Sequence, residues 1–239
     1  MSNYQINLIS TLLSENSYPG RGIILGKTCD GTKAACAYFI MGRSENSRNR
    51  VFVSNDNSVD IYPFDKEKVE DSTLIIYSPV RRYKNKIIVT NGDQTDTIYN
   101  FLQSGKTFKE ALETREFEPD FPNLTPRISG IMDLSERSFE YELSILKSMD
   151  EDGNQCARFF YEYKGENGLG HFIHTYENDG NPLPTFTGEP HRVSIPDDID
   201  EFTYQIWNSL HEENKISLYT SFTDLKTGEK ISRILNKRK

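Results

Sequence analysis

Gly22-Ile23-Ile24-Leu25-Gly26-Lys27 and Ala34-Ala35-Cys36-Ala37-Tyr38-Phe39-Ile40-Met41 are two β-rich runs separated by an Asp30-Gly31 turn. Runs bounded by turn formers read as strands, and a Gly-containing turn between two of them reads as a hairpin. Beyond this hairpin, strands are expected at 51–54, 73–77 and 87–90, then at 127–133, 139–146, 157–163 and 170–176, and finally at 217–222 and 230–235. Helical spacing of apolar residues runs through Ile6, Leu8, Ile9, Leu12 and Leu13, predicting a helix over 4–13. Two more helices are predicted at 93–102 and 107–114, broken by Gly105, and another at 199–210 with Ile199, Phe202, Ile206, Trp207 and Leu210 inward. Segments 119–126 and 177–190 read as loops. Two blocks of strands flanking clustered helices predict an α+β protein with sheets packed against helical layers. No Pro/Ser-rich linker divides the chain, so one domain over residues 1–239 is expected.

Composition narrows the function classes. The chain has 239 residues, enough for a sizeable core, with 14 Phe and 13 Tyr, so its bulk reads as globular. A formal net charge of −8 and a pI near 5.1 argue against nonspecific nucleic-acid binding, which needs a broad basic face. No long apolar run or signal-peptide core is present, so a cytoplasmic protein with no membrane partner is expected. Cys29, Cys36 and Cys156 are scattered without CxxC spacing, and neither a disulfide framework nor a zinc site is indicated. His171 and His174, three apart in an expected strand, face opposite sides and make a poor metal pair. No G-x-S-x-G elbow, P-loop or G-x-G-x-x-G pattern occurs.

Against this acidic background, Gly42-Arg43-Ser44-Glu45-Asn46-Ser47-Arg48-Asn49-Arg50 places three guanidinium groups beside one carboxylate. Arg forks match phosphate and carboxylate oxygens, so this donor-rich segment between strands points to a small-anion site. Arg21, between Gly20 and Gly22, adds a fourth guanidinium where a strand begins. The run Val89 to Asp96 is a strand, a turn and a helix start; Asp93 and Asp96 would repel a phosphate there. Capping by these aspartates stands ahead of a role as acceptors for ligand hydroxyl or N–H groups. Glu118, held extended before Pro119, lies just ahead of Thr125-Pro126-Arg127. It could act as a general acid or base, although a structural ion pair is the commoner role for such a group.

The strings Tyr18-x-Gly20-Arg21, Gly26-Lys27-Thr28, Ala37-Tyr38, Arg43-Ser44, Asn49-Arg50, Asn91-Gly92, Thr95-Asp96 and Thr125-Pro126-Arg127-Ile128 occur in an order and spacing that resembles the archaeal-type inosine monophosphate (IMP) cyclohydrolases. The resemblance covers about half the chain, from Tyr18 to Asp133. It implies a four-layer αββα sandwich of the N-terminal-nucleophile-hydrolase type, without the N-terminal nucleophile. It also implies closure of 5-formamidoimidazole-4-carboxamide ribotide (FAICAR) to IMP with loss of water, a reaction that requires neither metal nor cofactor. By the same resemblance Arg50, Tyr77 and Glu118 are the expected catalytic residues. Arg21, Lys27, Arg43, Asn91, Asp93, Thr125 and Arg127 are the expected substrate-binding residues. The implied partner is a purine-precursor ribotide, and a homo-oligomer is compatible with it. The competing reading is a nucleotide-binding sensor that keeps the pocket without turnover.

Overall fold

The 22–41 hairpin forms as read. In the computed structural model, which describes residues 4–68, 77–135 and 139–238, strands β1 (Arg21–Lys27) and β2 (Lys33–Met41) pair antiparallel from Arg21 opposite Ile40 to Lys27 opposite Ala34. The remaining strands are β3 (Val51–Ser54), β4 (Ser58–Tyr62), β5 (Val80–Tyr83), β6 (Lys86–Thr90), β7 (Arg127–Asp133), β8 (Glu140–Ser148), β9 (Cys156–Lys164), β10 (Leu169–His174), β11 (His191–Ser194), β12 (Lys215–Asp224) and β13 (Lys230–Asn236). Among the described residues they form two antiparallel sheets, ordered β11-β10-β1-β2-β12-β13 and β3-β4-β5-β6-β7-β8-β9. The helices are α1 (Ile9–Glu15), α2 (Glu45–Arg48), α3 (Gln94–Gln103), α4 (Phe108–Glu113) and α5 (Ile199–Ser209).

Alternation along the strands divides the apolar residues among three cores. Ile23, Leu25, Tyr38 and Ile40 of the first sheet pack with Val89, Ile128, Leu143 and Ile145 of the second. The opposite face of the first sheet, with Ile24, Phe39 and Phe172, packs on Ile9 and Leu13 of α1 and on Phe202 and Ile206 of α5. On the far side of the second sheet, Ile88, Ile131 and Leu146 meet Ile98 of α3 and Phe108, Ala111 and Leu112 of α4. The period-two exchange of faces is therefore carried into helices on both outer surfaces. His171 and His174 obey it: His171 Nδ1 meets the Tyr141 hydroxyl at 2.7 Å, whereas His174 stacks on Phe172.

Several expectations shift. The predicted 4–13 helix begins only at Ile9, and Tyr4, Ile6 and Leu8 are exposed. Asn7 instead bonds to β11, donating to the Arg192 carbonyl and accepting from the Ser194 amide. The polar 42–50 segment contains the short helix α2, whose N-cap Ser44 accepts from the Ser47 amide. Strands β4, β5 and β11 were not anticipated. The strand expected at 73–77 lies outside the described residues except for Tyr77, which is not in a strand. No described helix is long and apolar enough to cross a membrane.

Close approach of backbones fixes the first sheet at one point. Gly26 of β1 faces Gly170 of β10, and a Cβ on Gly26 would stand 2.5 Å from the Gly170 Cα and 2.6 Å from the Leu169 carbonyl oxygen. Those neighbours are main chain and cannot rotate away. Gly26→Ala is expected to lower unfolding stability by about 1–3 kcal/mol. Chemical denaturation checks this, and an unchanged midpoint would contradict the packing described.

Candidate active site

The ends of several strands converge at one end of the two sheets. Arg21 opens β1, Arg50 precedes β3, and Tyr77 precedes β5. Asn91 to Asp93 follow β6, Arg127 opens β7, and Thr175 and Tyr176 follow β10. Gly20 allows the entry to β1. Its φ is +76°, and a Cβ there would lie 2.3 Å from Thr175 Oγ1 and 2.5 Å from the Tyr176 ring. Thr175 Oγ1 then accepts from the Arg21 amide, so the backbone beneath the guanidinium is fixed.

The electrostatics of this end are unusual. Arg50 is 2 % exposed; its Nε donates to the Ser47 carbonyl at 2.8 Å, and its Nη2 is buried without a hydrogen-bond partner among the described residues. Burial, then the nearby Arg21 charge, brings the Arg50 guanidinium down to about 10. Burial opposes the Arg21 charge as well, but Tyr18, Tyr176, Tyr77 and Glu118 outweigh it and raise its pKa. Neither arginine forms an ion pair with a described carboxylate within 4 Å. A buried guanidinium beside a second, half-buried one, with no described carboxylate in ion-pair contact, is a costly arrangement unless something anionic joins them.

Glu118 lies on the same wall. Its amide donates to the Thr125 carbonyl at 2.9 Å, closing the loop, and its Oε1 is 3.9 Å from Arg127 Nη1. Burial raises its carboxyl pKa, while Arg21, Arg127 and Arg50 pull against that rise. Tyr77 shares a buried 2.9 Å hydroxyl contact with Tyr38, and burial raises both phenols. A protonatable carboxyl, a phenol and an unsatisfied guanidinium N–H are therefore brought to one buried place. Such a set can bind an oxyanion and exchange a proton with it.

The other expected residues divide. Asn91 spends its side chain on structure: Nδ2 donates to the Pro126 carbonyl, while Oδ1 accepts from Gln94 and from the Ile128 amide. Thr125 does likewise, bonding Asp120 and the Tyr176 hydroxyl. Asp93 occupies the N-cap position of α3 but makes no side-chain capping bond. It accepts instead from Arg115 at 2.7 and 2.6 Å and pairs with Arg127 Nη1 at 2.7 Å. Although burial works against its charge, these arginines hold its carboxyl below the usual range. The capping expectation for Asp93 is thus replaced by a guanidinium bridge. Arg127 also donates to Gln94, leaving its buried Nε without a partner among the described residues.

Arg43 and Lys27 are not part of the buried cluster. Arg43 is at the rim, stacked on Tyr18 at 5.1 Å and bonded to Asp179 and the Gly180 carbonyl. Lys27 closes the opposite end of β1 from Arg21, about 20 Å away at the usual rise per strand residue. Arg48 holds the Gly42 carbonyl through Nε, so it braces the turn into α2. Sequence reasoning gave no role to Tyr18, Tyr38, Tyr176, Gln94, Arg115 and Asp120. Tyr18 and Tyr38 stood within the matched strings; nothing near Tyr176 or Arg115 signals their part.

With this geometry in place, comparison with known proteins is informative. Residues 18–229 match the family described as IMP cyclohydrolase-like protein. An IMP cyclohydrolase of Methanococcus maripaludis (strain C7 / ATCC BAA-1331) is 36 % identical over 120 residues, covering 48 % of this chain and 58 % of the relative. One from Methanopyrus kandleri is 34 % identical over 119 residues, with 48 % and 59 % covered. The aligned part thus spans less than two thirds of these relatives. One from Haloquadratum walsbyi is 26 % identical over 201 residues, covering 82 % of this chain and 86 % of the relative. Because the family match covers residues 18–229, with every strand except β13 and every residue of the cluster, the chain belongs to the IMP cyclohydrolase-like family.

Proposed function

We propose that this protein is an IMP cyclohydrolase, closing FAICAR to IMP with release of water. The observation that carries the reading is the buried Arg50 beside the half-buried Arg21: neither forms an ion pair within 4 Å among the described residues, and both charges act on Glu118, whose carboxyl is raised by burial. A phosphorylated, oxygen-rich ribotide supplies the negative charge they lack. The family membership and the names of the relatives support the same chemistry. We further read the fold as a four-layer αββα sandwich of the N-terminal-nucleophile-hydrolase type, forming one domain over 1–239. The three apolar cores and the helices on both outer surfaces support this. A cytoplasmic location accords with the reaction.

The ring closes when the carboxamide nitrogen attacks the formyl carbon. An N–C bond forms, the formyl oxygen takes the electron pair, and the nitrogen sheds a proton. Glu118 accepts that proton, and Arg50 Nη2 with the Tyr77 hydroxyl stabilises the oxyanion. The Tyr38–Tyr77 contact holds that phenol in place. The oxygen then takes up the proton held by Glu118 and the single proton of the former formamide nitrogen; the C–O bond breaks, water leaves, and the freed N–H electron pair forms the C=N bond of the purine. Arg21 holds an anionic group of the ribotide, Arg43 guards the rim, and Asn91, Thr125 and Arg127 act mainly by shaping the wall. Holding the two reacting groups in one conformer supplies much of the acceleration.

The direct test follows IMP formation from FAICAR by purified protein against the uncatalysed rate. Acceleration is expected; tight binding without acceleration would replace the enzyme with the nucleotide sensor. Glu118→Gln is expected to lower kcat about 100- to 10,000-fold with little change in ligand affinity. Unchanged turnover would remove Glu118 from proton transfer.

Two stability measurements probe the same site without substrate. A carboxyl whose folded pKa is raised binds its proton more tightly in the folded state. Its stabilising contribution is complete below the unfolded value and is lost as pH rises through the folded one. The stability of wild type relative to Glu118→Gln should therefore fall as pH rises through the Glu118 titration; a rise in denaturation experiments would contradict the assignment. Arg50→Met is expected to leave ligand-free stability within about 1 kcal/mol of wild type or to increase it, because it removes a buried charge that no described carboxylate pairs. A loss of several kcal/mol would mean that Arg50 is structurally paired.

A further inference from the structure

Strand β9 is the outer strand of the seven-stranded sheet and pairs with β8 in register over all nine of its residues. From Arg158 to Lys164 its backbone groups bond to no element other than β8 among the described residues. It carries no proline, and its register is unbroken by a bulge. Phe159 on its inner face is 42 % exposed. A long, straight edge of this kind is a template for another strand.

The other sheet edges are managed differently. Strand β11 is four residues long, and Asn7 already bonds to its Arg192 carbonyl and Ser194 amide. Strand β3 is also four residues long, and both backbone groups of Phe52 bond to the Asn236 side chain of β13. Strand β13 is longer, but an antiparallel copy aligned over its full length would set Arg233 against Arg233 of the second copy. Directly opposed like charges disfavour that pairing.

The sequence of β9 is self-complementary in the corresponding alignment. In a two-fold pairing that continues one sheet, opposite residues must share a face, so the axis must pass through a residue. Only centring on Phe160 pairs the whole strand. Arg158 then opposes Glu162 of the second copy, Glu162 opposes its Arg158, Phe159 meets Tyr161, and Cys156 meets Lys164. Within one copy Glu162 instead faces Glu142 across β8, a like-charge pair that the incoming Arg158 would relieve. We propose that β9 is a homodimer interface, joining two copies of this chain antiparallel about Phe160 into one continuous sheet.

Sedimentation equilibrium from sub-micromolar to hundreds of micromolar protein tests this, with Glu162→Arg, Arg158→Glu and the double exchange. A dimer is expected whose dissociation constant rises about tenfold or more in Glu162→Arg, because two symmetric attractions become repulsions. The double exchange should restore it. Arg158 also bonds to the Arg115 carbonyl, so Arg158→Glu could disturb folding. Glu162→Arg removes an exposed residue and remains decisive alone. Hydrogen exchange should show alternate β9 amides becoming protected as concentration rises. A monomer throughout the range, or a dimer indifferent to Glu162→Arg with no protection of β9, would overturn the proposal.

Discussion

Burial of Arg50 beside the half-buried Arg21 at one end of two sheets is the constraint around which the rest of this structure is organised. Each guanidinium loses water, Arg50 feels the Arg21 charge, and no described carboxylate forms an ion pair with either within 4 Å. Such an arrangement persists only if the surrounding framework is stable without it. The three apolar cores provide that framework, and none of them depends on the arginines. The cluster is therefore a locally unfavourable feature held by a favourable fold, as is usual where binding or chemistry takes place.

The network around the cluster is rigid because its polar groups bond to backbone. Asn91 links the end of β6 to the start of β7, Thr175 holds the entry to β1, and Thr125 ties the Glu118 loop to Tyr176. Asp93 joins Arg115 to Arg127, and Gln94 steadies Arg127 from the opposite side. These contacts consume most of the donors and acceptors of the wall among the described residues, Arg127 Nε excepted. Among the described residues Arg50 Nη2 stays uncommitted, and Arg21 forms no ion pair within 4 Å. A ligand would meet a prearranged field and would not have to organise one.

Much of the sheet architecture was legible in the sequence because long strands buried on both faces, such as β2 and β12, are rich in apolar residues. Strands β4, β5 and β11 have only four or five residues and mix charge with apolar positions, so local pattern could not separate them from loops. The α1 error has a similar origin: Ile6 and Leu8 fit a helical period, yet Asn7 is recruited to a sheet edge by contacts from residues far along the chain. At the site, the Arg50 string and Glu118 could be read because Arg-rich and pre-proline signals are local. Lys27 shared a matched string with Gly26, but strand length carries it to the other end of the sheet. The roles of Asp93 and Arg115 depend on the packing of α3 against α4, which no local motif encodes.

The central claim is that the guanidinium pair of Arg21 and Arg50 recognises a phosphorylated purine. Calorimetric titration with IMP and with inosine isolates it, since the two ligands differ only in the phosphate. The account predicts that IMP binds about 100-fold more tightly, the effect expected of one or two charge-assisted contacts in a desolvated site, and that Arg21→Ala removes most of this difference. Equal affinities of the wild-type protein for IMP and inosine would contradict it.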